Sequence, residues 1–292
     1  MGIDFADPGN RRTYAARRAN TAWADFVGGL VELPGARVAD IGCGGGIYST
    51  ALLDAGAAAV VGVDGSAGMV SGARERAAGR GLRAGRGGTL DFAVADAADT
   101  GLEAGSFDVV LQRALIHHVE DLRAVFVEAR RILRPDGMLI VQDRTMDDVA
   151  RPGSPEHPRG YFFERYPRLL EVERARRPAP GEVEAALSAA GFDDVLARPF
   201  QEVRREYASV AELAADLRSR TGRSILHELD DAELDDLVDF IAAEYGEAGR
   251  PGGAGRPSRA PISEQDHWTV WTACNLAPEA ASGAGDAGPG HA

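Results

Sequence analysis

The sequence predicts an α/β fold in which helices cover both faces of a parallel sheet. Short runs dense in Val, Ile, Leu and Ala recur at 37–42, 59–64, 90–96, 107–112 and 137–143. Helix-like stretches separate them at 46–55, 66–78 and 121–133. The strand runs are close to continuously apolar rather than alternating, the pattern of strands buried on both faces.

Taken in order, residues 10–30 read as an amphipathic helix with Tyr14, Ala22, Trp23, Phe26 and Val27 at helical spacing. This gives an N-terminal helical cap at 1–36, followed by the core at 37–143. The connection GRGLRAGRGG at 79–88 is glycine-rich. After Asp143 the rhythm breaks, because residues 144–180 hold six prolines and the cluster HPRGYFFERYPRLL. That segment reads as a lid insertion. A helix at 181–190 and a strand at 192–200 return the chain to the core over 181–200. Helices at 209–220 and 231–245 form a second insertion spanning 201–246, and 247–263 reads as a flexible link. DHWTVWTAC at 266–274 has the aromatic and β-branched composition of a last strand, within 264–276. The Ala, Gly and Pro tail at 277–292 is expected to stay disordered, since it has little apolar surface to bury.

Composition narrows the function. With 292 residues, 45% of them hydrophobic, the chain can bury one substantial core with insertions. A net charge of -13, from 45 acidic and 32 basic residues, repels a phosphate backbone and argues against nucleic-acid partners. All 32 basic residues are arginine, which excludes chemistry built on a lysine Schiff base or a phosphate-loop lysine. Cys43 and Cys274 stand far apart without CxxC or Cys/His spacing, so neither a metal site nor a disulfide framework is expected. No run approaches the roughly 18 apolar residues of a membrane helix, and the first residues lack a signal peptide's apolar core. A cytoplasmic location without membrane partners follows as the expectation.

The informative motif closes the first strand: Asp40-Ile41-Gly42-Cys43-Gly44-Gly45-Gly46. Glycines here permit a tight turn and bring bare main chain against a ligand. Such loops serve nicotinamide cofactors too, but GxGxxG begun at Gly42 would need glycine at position 47, where Ile47 stands. Asp64 closes the next strand in VVGVDGS, where a carboxylate can accept ribose hydroxyls. Asp96 closes the third in FAVADA.

The spacing DxGxGxG, the acids Asp64 and Asp96, FDVVLQRALIHHVED and ILRPDGMLIVQD together resemble the ordered motifs of class I methyltransferases that use S-adenosylmethionine (SAM). With TYAARRA, HPRGYFFERYPRL, TGRSILHEL and DHWTVWTA, they resemble a bacterial small-molecule branch of that family. The resemblance implies a seven-stranded, mostly parallel Rossmann-like sheet, SAM as methyl donor and S-adenosylhomocysteine (SAH) as product. Carried over, Gly42, Cys43 and Gly44 would line the methionine portion, Asp40 would orient the loop or meet the amino group, and Asp64, with Gly65 and Ser66, would take the ribose. Met69 would pack on adenine, although a core methionine fits as well. Asp96 and Ala97 would meet the adenine amino group and edge. Gln112 and Arg113 would give main-chain contacts. Tyr14 and Arg17 would close over the methionine carboxylate, or simply face solvent.

For the acceptor, His118 is the preferred general base and His117 the second candidate, since histidine exchanges a proton near neutrality. Arg144, Arg159, Tyr161, Phe162 and Arg223 are the candidate acceptor contacts, against the alternative of an amphipathic lid helix. The expected reaction is in-line methyl transfer to O, N or S of a small metabolite. Two rival readings are a catalytically silent SAM-binding partner protein and a nicotinamide-dependent oxidoreductase. Monomer and homodimer are left open.

Overall fold

The computed structural model describes residues 19–80, 89–248 and 261–276. Tyr14, Arg17, most of the glycine-rich connection and the tail lie outside these residues, as does most of the 247–263 link. The described chain begins with α1 (Thr21–Gly28), capped by Asn20, whose side chain accepts from the Ala22 N–H.

A regular βα alternation follows: β1 (Arg37–Ile41), α2 (Ile47–Asp54), β2 (Ala59–Asp64), α3 (Ala67–Gly79), β3 (Thr89–Val94), β4 (Phe107–Arg113), α4 (Leu122–Ile132) and β5 (Leu133–Asp143). The lid segment contributes α5 (Met146–Val149), α6 (Pro158–Arg165) and α7 (Arg168–Arg176). Then come α8 (Pro180–Ala189), β6 (Asp193–Tyr207), α9 (Val210–Arg218), α10 (Asp231–Ala248) and β7 (Ile262–Asn275). The seven strands lie in the order β3-β2-β1-β4-β5-β7-β6. Pairings from β3 to β5 are parallel, whereas β7 runs antiparallel between β5 and β6.

The apolar strand runs are explained by burial on both faces. Leu139 and Val141 of β5 pack with Phe126 and Ile132 of α4 and Leu187 of α8. Ile140 faces the opposite way, into the layer holding Trp23 and Val27 of α1 and Leu52 of α2. The two insertions, separate in sequence, share a further core in which Phe162 and Leu169 meet Leu213, Leu217, Leu237 and Ile241. They therefore pack as one helical unit, named the lid after its expected role.

Two boundaries differ from the sequence reading. β6 continues to Tyr207 and β7 begins at Ile262, so the second insertion starts later and the link ends sooner than expected. The charged run Arg204-Arg205-Glu206 masks the strand, yet it forms the outer edge of the sheet, where Arg205 stands opposite Glu264. Edge strands tolerate such charge because one side meets water.

Candidate active site

β1 and β2 end at the same level and build the floor of the site. Beyond Ile41 the chain turns through left-handed φ values of +76° at Gly42, +51° at Gly44 and +71° at Gly46, a conformation that disfavours a side chain. The Gly42 and Cys43 N–H groups donate to the Val63 carbonyl at 2.7 and 3.0 Å, tying the loop to β2. Asp64 completes the tie: its Oδ2 accepts from the Gly44 N–H and its Oδ1 from the Ser66 N–H, both at 2.8 Å. Ser66 caps α3 by accepting from the Met69 N–H. Beneath the loop, Asp40 is 1% exposed and accepts from the Ser49 hydroxyl at 2.5 Å. Burial pushes its carboxyl up to about 6.

Above this floor opens a cavity of about 820 Å³. Of the residues singled out in the sequence, Gly42, Cys43, Gly44, Asp64, Gly65, Ser66, Met69, Ala97, Arg113, His117, His118, Arg144 and Arg159 line it. A Cβ built on Gly44 would meet no protein atom within 4 Å. Bare main chain and a carboxylate on the cavity floor fit the methionine and ribose portions of SAM, and Met69 with Ala97 provides apolar surface for a base.

Other expected residues are placed elsewhere. Asp40 lies below the loop and Gln112 is 1% exposed within the sheet, so neither lines the cavity. Asp96 is exposed and its carboxylate accepts from the Ala98 N–H at 2.7 Å. Three acceptor assignments are corrected. Tyr161 and Phe162 belong to the lid core, with the Tyr161 ring edge-on to Phe240 at 6.0 Å. Arg223 is 1% exposed and donates to Asp216 at 2.5 Å, Glu264 at 2.6 Å and the Tyr207 hydroxyl at 3.0 Å. It holds the lid to β7 and β6. Periodicity alone could not separate an inward-facing lid residue from one facing the cavity.

On the far wall, the turn after β4 presents both histidines. His117 Nδ1 lies 2.8 Å from Asp143 Oδ2, and Arg177 donates to Asp143 Oδ1 at 3.1 Å. Burial alone would raise the Asp143 carboxyl, but His117 and Arg177 outweigh it and hold the group below the usual range. Burial pushes His117 down, so its ring is neutral beside a charged carboxylate. His118 stands exposed at the rim with its ring centroid 4.0 Å from that of His117.

Arginines make up much of the rest. The Arg113 guanidinium lies 3.8 Å from the Tyr48 ring centroid and 4.3 Å from that of Trp268, and it donates to Glu202 at 2.5 Å. Arg144 lies 3.7 Å from the Trp268 ring centroid and 2.8 Å from Asp266. Arg176, Arg177, Arg204, Tyr48, Asp266 and Trp268 line the cavity but were not singled out in the sequence. The run ERARRP at the end of the lid carried no motif signal, and DHWTVWTA was read as strand composition and as part of the resemblance, with no role assigned to Asp266 or Trp268.

Buried bases set an acid limit on stability. Burial pushes His157 down to about 4 from 6.5, and His117 moves the same way. Below pH 6.5 the unfolded chain binds protons that these folded sites refuse, so stability falls as pH falls, by at most ~1.4 kcal/mol per pH unit for each group. Asp40, raised from 3.8 to about 6, opposes this between those values, but it stands alone against His117, His118, His157, His227 and His267, all of which burial moves down. Asp143 and Glu173, both held low, lose their contribution as pH falls further. The melting temperature at constant ionic strength is therefore expected to be several degrees lower at pH 5.5 than at pH 7.5; a flat or inverted profile would contradict the placement of these groups.

Residues 39–141 match the family model described as "Methyltransferase domain". The chain is 32% identical over 193 residues to the ubiquinone biosynthesis O-methyltransferase of Azorhizobium caulinodans, covering 63% of this chain and 70% of that protein. The chain belongs to the class I SAM-dependent methyltransferases. This methyltransferase is also 29% identical over 217 residues to phosphoethanolamine N-methyltransferase 1 of Arabidopsis thaliana, covering 73% of the chain but only 40% of that relative. It thus spans less than half the length of these plant relatives. Among solved structures, a protein from Anabaena variabilis assigned as a methyltransferase of an antibiotic biosynthesis pathway shares the fold at TM-score 0.64 and 21% identity, over 88% of this chain and 98% of that one. Phosphoethanolamine N-methyltransferase 2 of Haemonchus contortus, solved with phosphomonomethylethanolamine and SAH, gives 0.57 and 17% over 94% and 61%.

Proposed function

We propose that this methyltransferase moves the methyl group of SAM to an oxygen, nitrogen or sulfur atom of a small molecule, leaving SAH. The observation that carries this reading is the continuity of the Gly42–Asp64 floor with the walled chamber of His117, His118, Arg144 and Arg159 in one cavity. When bound, SAM supplies a methyl group already activated by its sulfonium.

The protein's part is positioning and exclusion of water. Gly42, Cys43 and Gly44 would hold the methionine end by main chain, Asp64 the ribose, and Met69 and Ala97 the base. Arg113, clamped between two rings, fixes the boundary between donor and acceptor. His117 rather than His118 is the better proton acceptor, because Nδ1–H donated to Asp143 leaves Nε2 with its lone pair free. Arg144 and Arg159 form the acceptor side. The named relatives include both O- and N-methyltransferases, consistent with a small acceptor of either kind. A cytoplasmic location without nucleic-acid or membrane partners remains the companion proposal; no described helix is long and apolar enough to cross a membrane.

Calorimetric titration with SAM and SAH tests the donor side, and an absence of binding for both would overturn the reading. For an acceptor that must lose a proton, His117→Asn is expected to lower kcat by about 10²-fold while leaving SAM affinity unchanged. An unchanged kcat would remove His117 from proton transfer.

A further inference from the structure

Among the described residues, six arginines line the cavity: Arg113, Arg144, Arg159, Arg176, Arg177 and Arg204. Five have close carboxylate partners. Arg113 meets Glu202, Arg144 meets Asp266, Arg177 meets Asp143 and Glu173, Arg176 meets Glu173, and Arg204 lies 3.4 Å from Glu264. Arg159 differs. It is 7% exposed, donates no hydrogen bond among the described residues, and has Glu173 as its nearest carboxylate at 3.8 Å. Glu173 is already held at 2.7 Å by both Arg176 and Arg177. Burial, then Arg144 and Arg204, pushes the Arg159 guanidinium down to about 9, although Asp266 and Glu173 oppose the shift.

A buried guanidinium without a hydrogen-bonded counter-ion is costly, and a cavity-facing one is relieved by an oxyanion that fits its planar fork. Nearby Arg144 is stacked on Trp268, so the cationic wall is held in place before any ligand arrives.

We propose that the methyl acceptor carries an oxyanion, a phosphate or a carboxylate, that seats on Arg159 with Arg144 beside it. This rests on the acceptor-chamber assignment above and adds the chemical class of the molecule admitted there. The anion anchors the acceptor at the lid end of the cavity, away from the atom that receives the methyl group.

The test titrates inorganic phosphate, acetate and chloride at equal ionic strength into the full-length protein, with and without SAH, by calorimetry and by melting temperature. Wild type is expected to bind phosphate or acetate at least tenfold more tightly than chloride. Arg159→Met is expected to lose at least tenfold of that affinity, and Arg159→Lys to retain part of it. Phosphate stronger than acetate assigns a phosphate monoester, and the reverse order assigns a carboxylate. SAH affinity, measured separately, should be the same in wild type and both variants, which shows that each variant folds and keeps its donor site. Equal binding of all three anions by wild type, or unchanged phosphate and acetate affinity in Arg159→Met, overturns the proposal. Loss of SAH binding by wild type would instead count against the methyltransferase reading and leave the anion result to stand or fall on its own titration.

Discussion

Replacing Asp64 by alanine is expected to weaken SAM and SAH binding by about 100-fold, or ~2.7 kcal/mol. The carboxylate has two structural contacts, one from Gly44 and one from Ser66, and it lines the cavity. Hydrogen bonds to a charged group contribute ~1.5–3 kcal/mol each. The loss has two sources: the glycine loop is released from β2, and the proposed ribose acceptor disappears. Asp64→Asn keeps the shape but turns one acceptor into a donor, so it should fall between wild type and alanine. Helix α3 retains its Ser66 cap, and the variant should stay folded. Calorimetry with SAH reads the result, and an Asp64→Ala protein that binds SAH as wild type does would displace the cofactor site from this floor.

The largest stability loss is expected at Arg223. Its guanidinium is 1% exposed and joins Asp216, Glu264 and the Tyr207 hydroxyl, which fastens the lid to β6 and β7. Burial alone would lower its pKa, but Glu264, Tyr207 and Asp216 together drive it upward. Breaking a buried ion pair by removing one partner costs ~3–5 kcal/mol, because the remaining charge is stranded. Arg204 near Glu264 and Arg205 on Asp216 soften the effect, which places Arg223→Met at about 3 kcal/mol in urea unfolding. The exposed pair Arg218–Asp235 is the contrast: Arg218→Ala should cost ~0–1 kcal/mol. A loss below about 1 kcal/mol for Arg223→Met would show that the cluster does not hold the lid.

The sheet was legible because parallel strands buried on both faces write themselves as apolar runs, and the cofactor floor because glycines and strand-end acids are constrained by backbone geometry. Asp64 and Gly44 could be placed from sequence since their positions follow from β1 and β2. The acceptor chamber was not legible in the same way. Arg159 and Arg144 were named, but Tyr161, Phe162 and Arg223 share their composition and face the lid interior instead. On an amphipathic lid helix the side that meets a cavity and the side that meets a partner helix are both partly buried, and single-sequence periodicity does not divide them. Arg177 follows α7 in a run without motif signal, and Trp268 reaches the site on β7, inserted antiparallel beside β5.

That insertion also dictates an order of assembly. Among the described residues β6 pairs with no strand except β7, and β7 supplies Asp266 and Trp268 to the chamber. During synthesis on a ribosome, the five parallel strands could dock while β6 waited unpaired and β5 formed the open edge. The nucleoside floor would thus mature before the chamber wall, and a nascent chain halted ahead of Ile262 would carry a binding half without its receiving half.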